Sequence, residues 1–171
     1  MRASTTLGPA EFGPEPFDGL RYQAELEARF FEAGGGDYTA SAQRADDFVA
    51  GRESAGELRS SYKLGTCPGR IDALLPERVR DAIRHALAGF DRAIPGFAGP
   101  DGLLVGIESR SSAPIRMPRD EATRLADGFA NVYPAGEGAG YAGGIMSAAI
   151  DGARSARVML GVREERRRGD G

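Results

Sequence analysis

The chain has 171 residues, 41% of them hydrophobic, and a formal net charge of −3, which suits one domain with a real core and gives no long-range pull toward nucleic acid or acidic membranes. It contains no run of about 18 apolar residues and no apolar signal region at its start. A single cysteine excludes an internal disulfide framework and a Cys-x-x-Cys redox pair, and together these features favour a cytoplasmic protein.

The 25 glycines and 10 prolines imply many turns. Residues 1–16 form a polar, Gly/Pro-rich segment without a strand signal. Residues 17–33 read as a first helix: Tyr22, Leu26 and Phe30 fall at i, i+4 and i+8, with Leu20, Ala24 and Phe31 beside them. Gly34-Gly35-Gly36 stops it. Ser41 is placed to cap a second helix whose Ala45, Phe48 and Val49 share a face, ending near Gly51. Residues 53–69 are polar and turn-rich, and read as loop. Pro76 suits the first position of a third helix, where its missing N–H costs nothing. Val79, Ile83, Leu87, Phe90 and Ile94 then recur along one stripe until Pro95 ends it.

Residues 103–109 read as a strand with Val105 and Ile107 on one face. Residues 111–120 are loop or short strand, because Pro114 and Pro118 forbid long pairing. Phe129-Ala130-Asn131-Val132-Tyr133 reads as a second strand, and an Ala-rich helix runs from Ile145 to about Arg167. The expected division is therefore 1–16, 17–128 and 129–171.

Between that strand and helix lies Pro134-Ala135-Gly136-Glu137-Gly138-Ala139-Gly140-Tyr141-Ala142-Gly143-Gly144-Ile145. Glycines without Cβ atoms let backbone approach a ligand closely. A helix start adds unpaired N–H groups and the positive end of the dipole. Such a turn suits an anionic or carbonyl-rich ligand, typically a nucleotide cofactor. Gly136, Glu137, Gly138, Ala139, Gly140, Tyr141, Gly143, Gly144 and Ile145 are thus the cofactor-binding candidates. A flexible surface loop is the plainer alternative.

Gly138-x-Gly140-x-x-Gly143 matches a dinucleotide fingerprint, but its context does not. A dinucleotide-binding βαβ unit needs a second parallel strand, ending in an acid about 20 positions later. Here helix follows instead, and Glu164 and Glu165 sit in a charged run. The turn can close a nucleotide site but cannot found one.

Arg110, Ser111, Ser112 and Arg116 form a second candidate site, where a strand feeds a loop bearing hydroxyls and guanidiniums. The guanidinium fork suits a carboxylate or a similar anion; plain surface arginines are the alternative. His85 lies off the main stripe of its helix and reads as structural or exposed. Cys67 sits in a turn with no second Cys or His beside it. No cluster has metal-ligand spacing, no residue declares itself as a nucleophile, and the mixed-charge run 163–168 reads as a solvated helix end.

Several segments carry a resemblance. They are Arg21-Tyr22-Gln23-Ala24-Glu25-Leu26-Glu27, Gly34-Gly35-Gly36-Asp37-Tyr38, Ala42-Gln43-Arg44 with Asp47-Phe48, and Ser60-Ser61-Tyr62. Further on come residues 106–116, the glycine turn, and Ser147-Ala148-Ala149-Ile150-Asp151-Gly152. In this order, over roughly residues 12–157, the chain resembles the C-terminal part of uncharacterised FAD-dependent dehydrogenases within the broad NAD(P)/FAD oxidoreductase group.

That resemblance implies an α+β fold: the helical and mixed substrate-domain portion of a flavoprotein, plus the last strand and helix of its FAD domain. It implies FAD as cofactor, with the glycine turn against the flavin end and Glu137 where related folds bind a ribityl hydroxyl. The loop bearing Arg110 and Arg116 would border the flavin and a small-molecule substrate cavity. Family members carry an N-terminal Rossmann core holding the ADP half of FAD, and this sequence shows none. The expectation is a piece of an FAD-dependent oxidoreductase, partnered by a Rossmann half or subunit and not holding FAD alone. The alternative is a non-enzymatic fragment or interaction domain that docks on a separately encoded Rossmann subunit. Neither reading expects nucleic acid, membrane or metal.

Overall fold

The computed structural model describes residues 5–110 and 112–161. Its fold is α+β, with six helices and one three-stranded sheet among the described residues. The chain forms two compact units, residues 1–109 and 110–171.

In the first unit a short helix α1 (Pro9–Phe12) lies within the polar, Gly/Pro-rich segment read as having no strand signal. Helix α2 (Asp18–Ala33) follows the expected stripe: Leu26 and Phe30 are buried, and Gly34 donates its N–H to the Phe30 carbonyl at 3.0 Å. The central strand β1 (Ala40–Arg44) was not expected. It pairs in parallel with β2 (Thr66–Pro68) and antiparallel with β3 (Leu103–Gly106), giving the order β2-β1-β3. Ser41 is therefore a fully buried strand residue, not a helix cap. Small side chains at Ser41 and Ala42 let β1 run through the interior, where both of its faces are buried and its Ala-Ser-Ala-Gln alternation does not follow burial.

Helices α3 (Ala45–Ala50), α4 (Ile71–Leu74) and α5 (Glu77–Ala93) complete the unit. Pro76 caps α5 one position before its first residue, and Ile94 lies past its end, exposed. Leu26, Phe30, Phe48, Ile71, Leu75, Val79 and Leu87 form the core, with Leu104 and Ile107 against it. Strand β3 ends at Gly106, and it is Leu104, not Val105, that joins Ile107 at the core; Val105 is exposed.

A polar centre sits inside this core. Gln43 donates to Asp72 at 2.7 Å and to the Arg52 carbonyl at 2.9 Å, and its side-chain oxygen accepts the Asp72 N–H at 3.0 Å. Arg70 grips the same carboxylate with two bonds of 2.7 and 2.8 Å. These Arg70 bonds are the main reason that the Asp72 carboxyl stays below its ordinary pKa.

In the second unit the expected strand at 129–133 does not form. Ala126 instead donates to the Val132 carbonyl at 2.8 Å, closing a local loop through Gly128, whose φ is +80°. Arg119 and Ala126 make an isolated antiparallel bridge behind it. An apolar run with no neighbouring strand cannot pair its backbone as a sheet, so local closure wins. Helix α6 (Ile145–Met159) is the last element among the described residues. The charged run 163–168, with Glu164 and Glu165, lies outside the described residues.

Candidate functional site

The glycine turn leads into α6, with Gly144 as an extended cap. Gly136 and Gly140 hold left-handed φ values of +71° and +81°, which side-chain-bearing residues rarely adopt. Gly140 donates to the Glu137 carbonyl at 2.9 Å, and Tyr141 to the Gly136 carbonyl at 3.0 Å, so residues 136–141 close on themselves.

The two glycines expected to admit a ligand differ. A Cβ on Gly140 would stand 2.6 Å from the Ile115 carbonyl and 2.9 Å from the Arg116 Cα. Its space is taken by the protein's own chain. A Cβ on Gly138 would meet nothing within 4 Å, and this exposed position leaves backbone open to an approaching group.

The two candidate segments meet at Arg116. Met117 donates to the Ala139 carbonyl at 3.2 Å, and the Tyr141 hydroxyl donates to the Met117 carbonyl at 2.9 Å. The guanidinium carbons of Arg116 and Arg119 lie 4.4 and 3.4 Å from the centre of the Tyr141 ring. Glu137 is half-buried, Ala139 is buried, and Gly143 and Ile145 are exposed. Arg110 and Ser112 are exposed too, and Ser111 lies outside the described residues.

The turn is anchored by residues that sequence reasoning passed over. Asp151, on the inner face of α6, accepts the Gly136 N–H at 2.9 Å. It also accepts two bonds from Arg119, at 2.9 and 2.7 Å, and one from Arg124. Arg119 further donates to the Pro134 carbonyl, and Arg124 to the Ser155 hydroxyl at 2.8 Å. The hydrogen bonds from Arg119 hold the Asp151 carboxyl far below the carboxylate range; the Gly136 N–H and Arg124 add to this, while burial opposes it. One carboxylate thus ties the turn, α6 and two guanidiniums together, and the cluster keeps a positive excess. The available signal was Asp151 itself, the single acid in an otherwise Ala-rich helix.

Chemically, the site offers backbone at Gly138, the first N–H groups of α6 and the charge of Arg116. These suit a polar or negatively charged group, and Gly138 has open space where a Cβ would stand. Among the described residues, no group of three or more His, Cys, Asp or Glu could hold a metal ion. His85 is exposed on α5, and Cys67 is half-buried with its sulfur 3.7 Å from the Ala33 carbonyl. No described helix is long and apolar enough to cross a membrane.

Comparison with known proteins gives the chain's relatives and its family. The chain is 40% identical over 158 residues to an uncharacterised protein of Clostridium beijerinckii. The match takes in 91% of this chain and 30% of that protein, so the chain spans under a third of its relative's length. A match that broad cannot leave out the glycine turn. The profile of a family described as "FAD-dependent protein, C-terminal domain-like" matches residues 4–111, which is most of the first unit and more than half of the chain. The chain belongs to this family of C-terminal domains of FAD-dependent proteins.

Proposed function

We propose that this chain is the flavin-side part of an FAD-dependent oxidoreductase whose other parts lie in the remainder of the relative's length. The observation that carries the reading is the Asp151 anchor, which fixes Gly136 at 2.9 Å and sets an open Gly138 just before a 15-residue helix. FAD, when bound, supplies hydride-transfer chemistry. The work of this chain is to bind and orient. The backbone from Gly136 to Ile145 approaches the flavin end. The start of α6 and Arg116 favour negative charge that develops there. Arg119 and Arg124 serve through Asp151, keeping the turn in one shape. The loop with Arg110, Ser111, Ser112 and Arg116 borders the substrate, a small molecule whose class stays open. Glu137 is placed to accept a hydrogen bond from a ribityl hydroxyl.

The test is complementation. The part of the Clostridium relative outside the match is produced separately and combined with this chain and FAD. We expect visible flavin absorbance from the wild-type mixture and at least a tenfold weaker affinity with Gly138→Val. Equal flavin content in the variant would remove the turn from the site.

A further inference from the structure

A cavity of about 300 Å³ opens on the first unit beside the start of β3, at the low end of the size range of small-molecule sites. Arg44, Glu57, Arg59, Pro100, Asp101 and Leu103 line it, and none of them belongs to the flavin-side candidates. Arg44, the last residue of β1, carries the arrangement. Its half-buried guanidinium donates to the Pro100 carbonyl at 2.9 Å and to the Glu57 carbonyl at 3.0 Å. Both acceptors are neutral, and among the described residues no carboxylate lies within ion-pair distance of Arg44. Its charge is thus fixed on the cavity wall and left uncompensated, with N–H groups to spare.

Asp101, next in the chain to Pro100, is the complementary case. Its side chain is exposed and has no hydrogen bond or ion pair among the described residues. Arg59 and Glu57 stand 3.7 Å apart and largely exposed, so their pair is weak and both groups can turn to a ligand. The walls themselves are set. The Arg44 N–H donates to the buried Ser54 hydroxyl at 2.8 Å, and buried Leu58 anchors Glu57 and Arg59. Opposite, the Gly102 carbonyl accepts the Ala45 N–H at 2.8 Å, and a Cβ on Gly102 would stand 2.7 Å from the Phe97 carbonyl. Little ordering is left for a ligand to bring about.

We infer that this cavity binds a small zwitterion of the α-amino acid class. Its carboxylate lies on Arg44 and Arg59, its ammonium on Asp101 and Glu57, and a short apolar side chain against Leu103 and Pro100. The lining has two arginines and two acids, so its charges balance. A simple anion would leave Asp101 unanswered, and a simple cation would leave Arg44 so. A phosphate would meet repulsion from both carboxylates. One small molecule with both charges complements the whole lining. The site is separate from the proposed flavin role and does not rest on it.

The test titrates the isotopically labelled full chain with L-leucine and follows amide chemical shifts. Isocaproate and isoamylamine are the matched probes, each keeping one of leucine's two charges. Saturable shifts are expected at Glu57, Arg59, Asp101, Gly102 and Leu103. Each single-charge probe should bind about tenfold more weakly, as for the loss of one charge-assisted contact. Asp101→Asn keeps the shape of an exposed side chain; it should lower leucine to the level of isocaproate and leave isocaproate unchanged. Arg59→Gln, also exposed, should weaken leucine and isocaproate and spare isoamylamine. No saturable shift with leucine would overturn the inference. So would isocaproate binding as tightly as leucine, an Asp101→Asn variant that binds leucine normally, or shifts confined to residues 136–145.

Discussion

The Asp151 carboxylate accepts the Gly136 N–H at 2.9 Å across 15 residues of chain, while gripping Arg119 with two bonds and Arg124 with another. The side chains of Arg119 and Asp151 are only 6% and 11% exposed. Asp151→Ala would take from two guanidiniums and the Gly136 amide the carboxylate they share. Removing one partner of such a buried cluster costs about 3–5 kcal/mol. We expect the second unit to lose stability of that order in urea titration, with Gly136 amide exchange accelerated and the first unit unaffected.

The same carboxylate makes stability depend on pH. Its folded pKa lies below the unfolded value of about 3.9, because Arg119 bonds to its ionised form. Its contribution is therefore complete above about pH 4 and declines as pH falls below that toward the folded value. Asp72 acts in the same sense in the first unit, with its Arg70 bonds the main cause. Acid titration should show both units losing stability below the ordinary carboxylate range. Asp151→Asn should flatten the acid slope of the second unit alone.

Gly138 and Gly140 should respond differently to alanine. At Gly140 the new Cβ would lie 2.6 Å from a carbonyl, on a backbone with φ of +81°. We expect a loss of about 1–3 kcal/mol, as for overpacking at a rigid site. Gly138→Ala meets open space and should stay within about 0.5 kcal/mol. Thermal melting of the two variants decides this; equal effects would mean that the turn is not packed on residues 115–116.

Helix α6 should exchange its amides faster than α5 in the chain alone. α5 buries Val79 and Leu87 in the core, whereas Ile145, Met146 and Ile150 of α6 are exposed. Local opening follows such differences in buried contact. Hydrogen-exchange mass spectrometry measures both helices at once, and greater protection in α6 would show that its outer face is already covered.

Much of the fold was legible where side-chain size repeats at helical spacing. α2 and α5 carry large apolar residues on one stripe, and their limits fell within a residue or two of expectation. β1 was hidden because Ala40–Arg44 has neither β-branched nor large apolar residues; its burial comes from elements on either side. The run 129–133 misled for the converse reason, having strand-like residues but no strand beside it. The glycine turn was legible as a turn before a helix, but its anchor was not. Nothing local in the sequence says that Asp151 will meet Arg119, 32 residues earlier, or that Gly140 is needed for the approach of Ile115. Those facts belong to tertiary packing, which spacing alone does not encode.

The most direct measurement is a hydrogen-exchange footprint of FAD on the assembled protein, formed from this chain and the complementary part of its Clostridium relative. Amides from Gly136 to Ser147 are expected to exchange at least tenfold more slowly with FAD than without it, while those of α5 stay unchanged. Protection that leaves the turn untouched and appears elsewhere in the chain would contradict a flavin-facing role for residues 136–145.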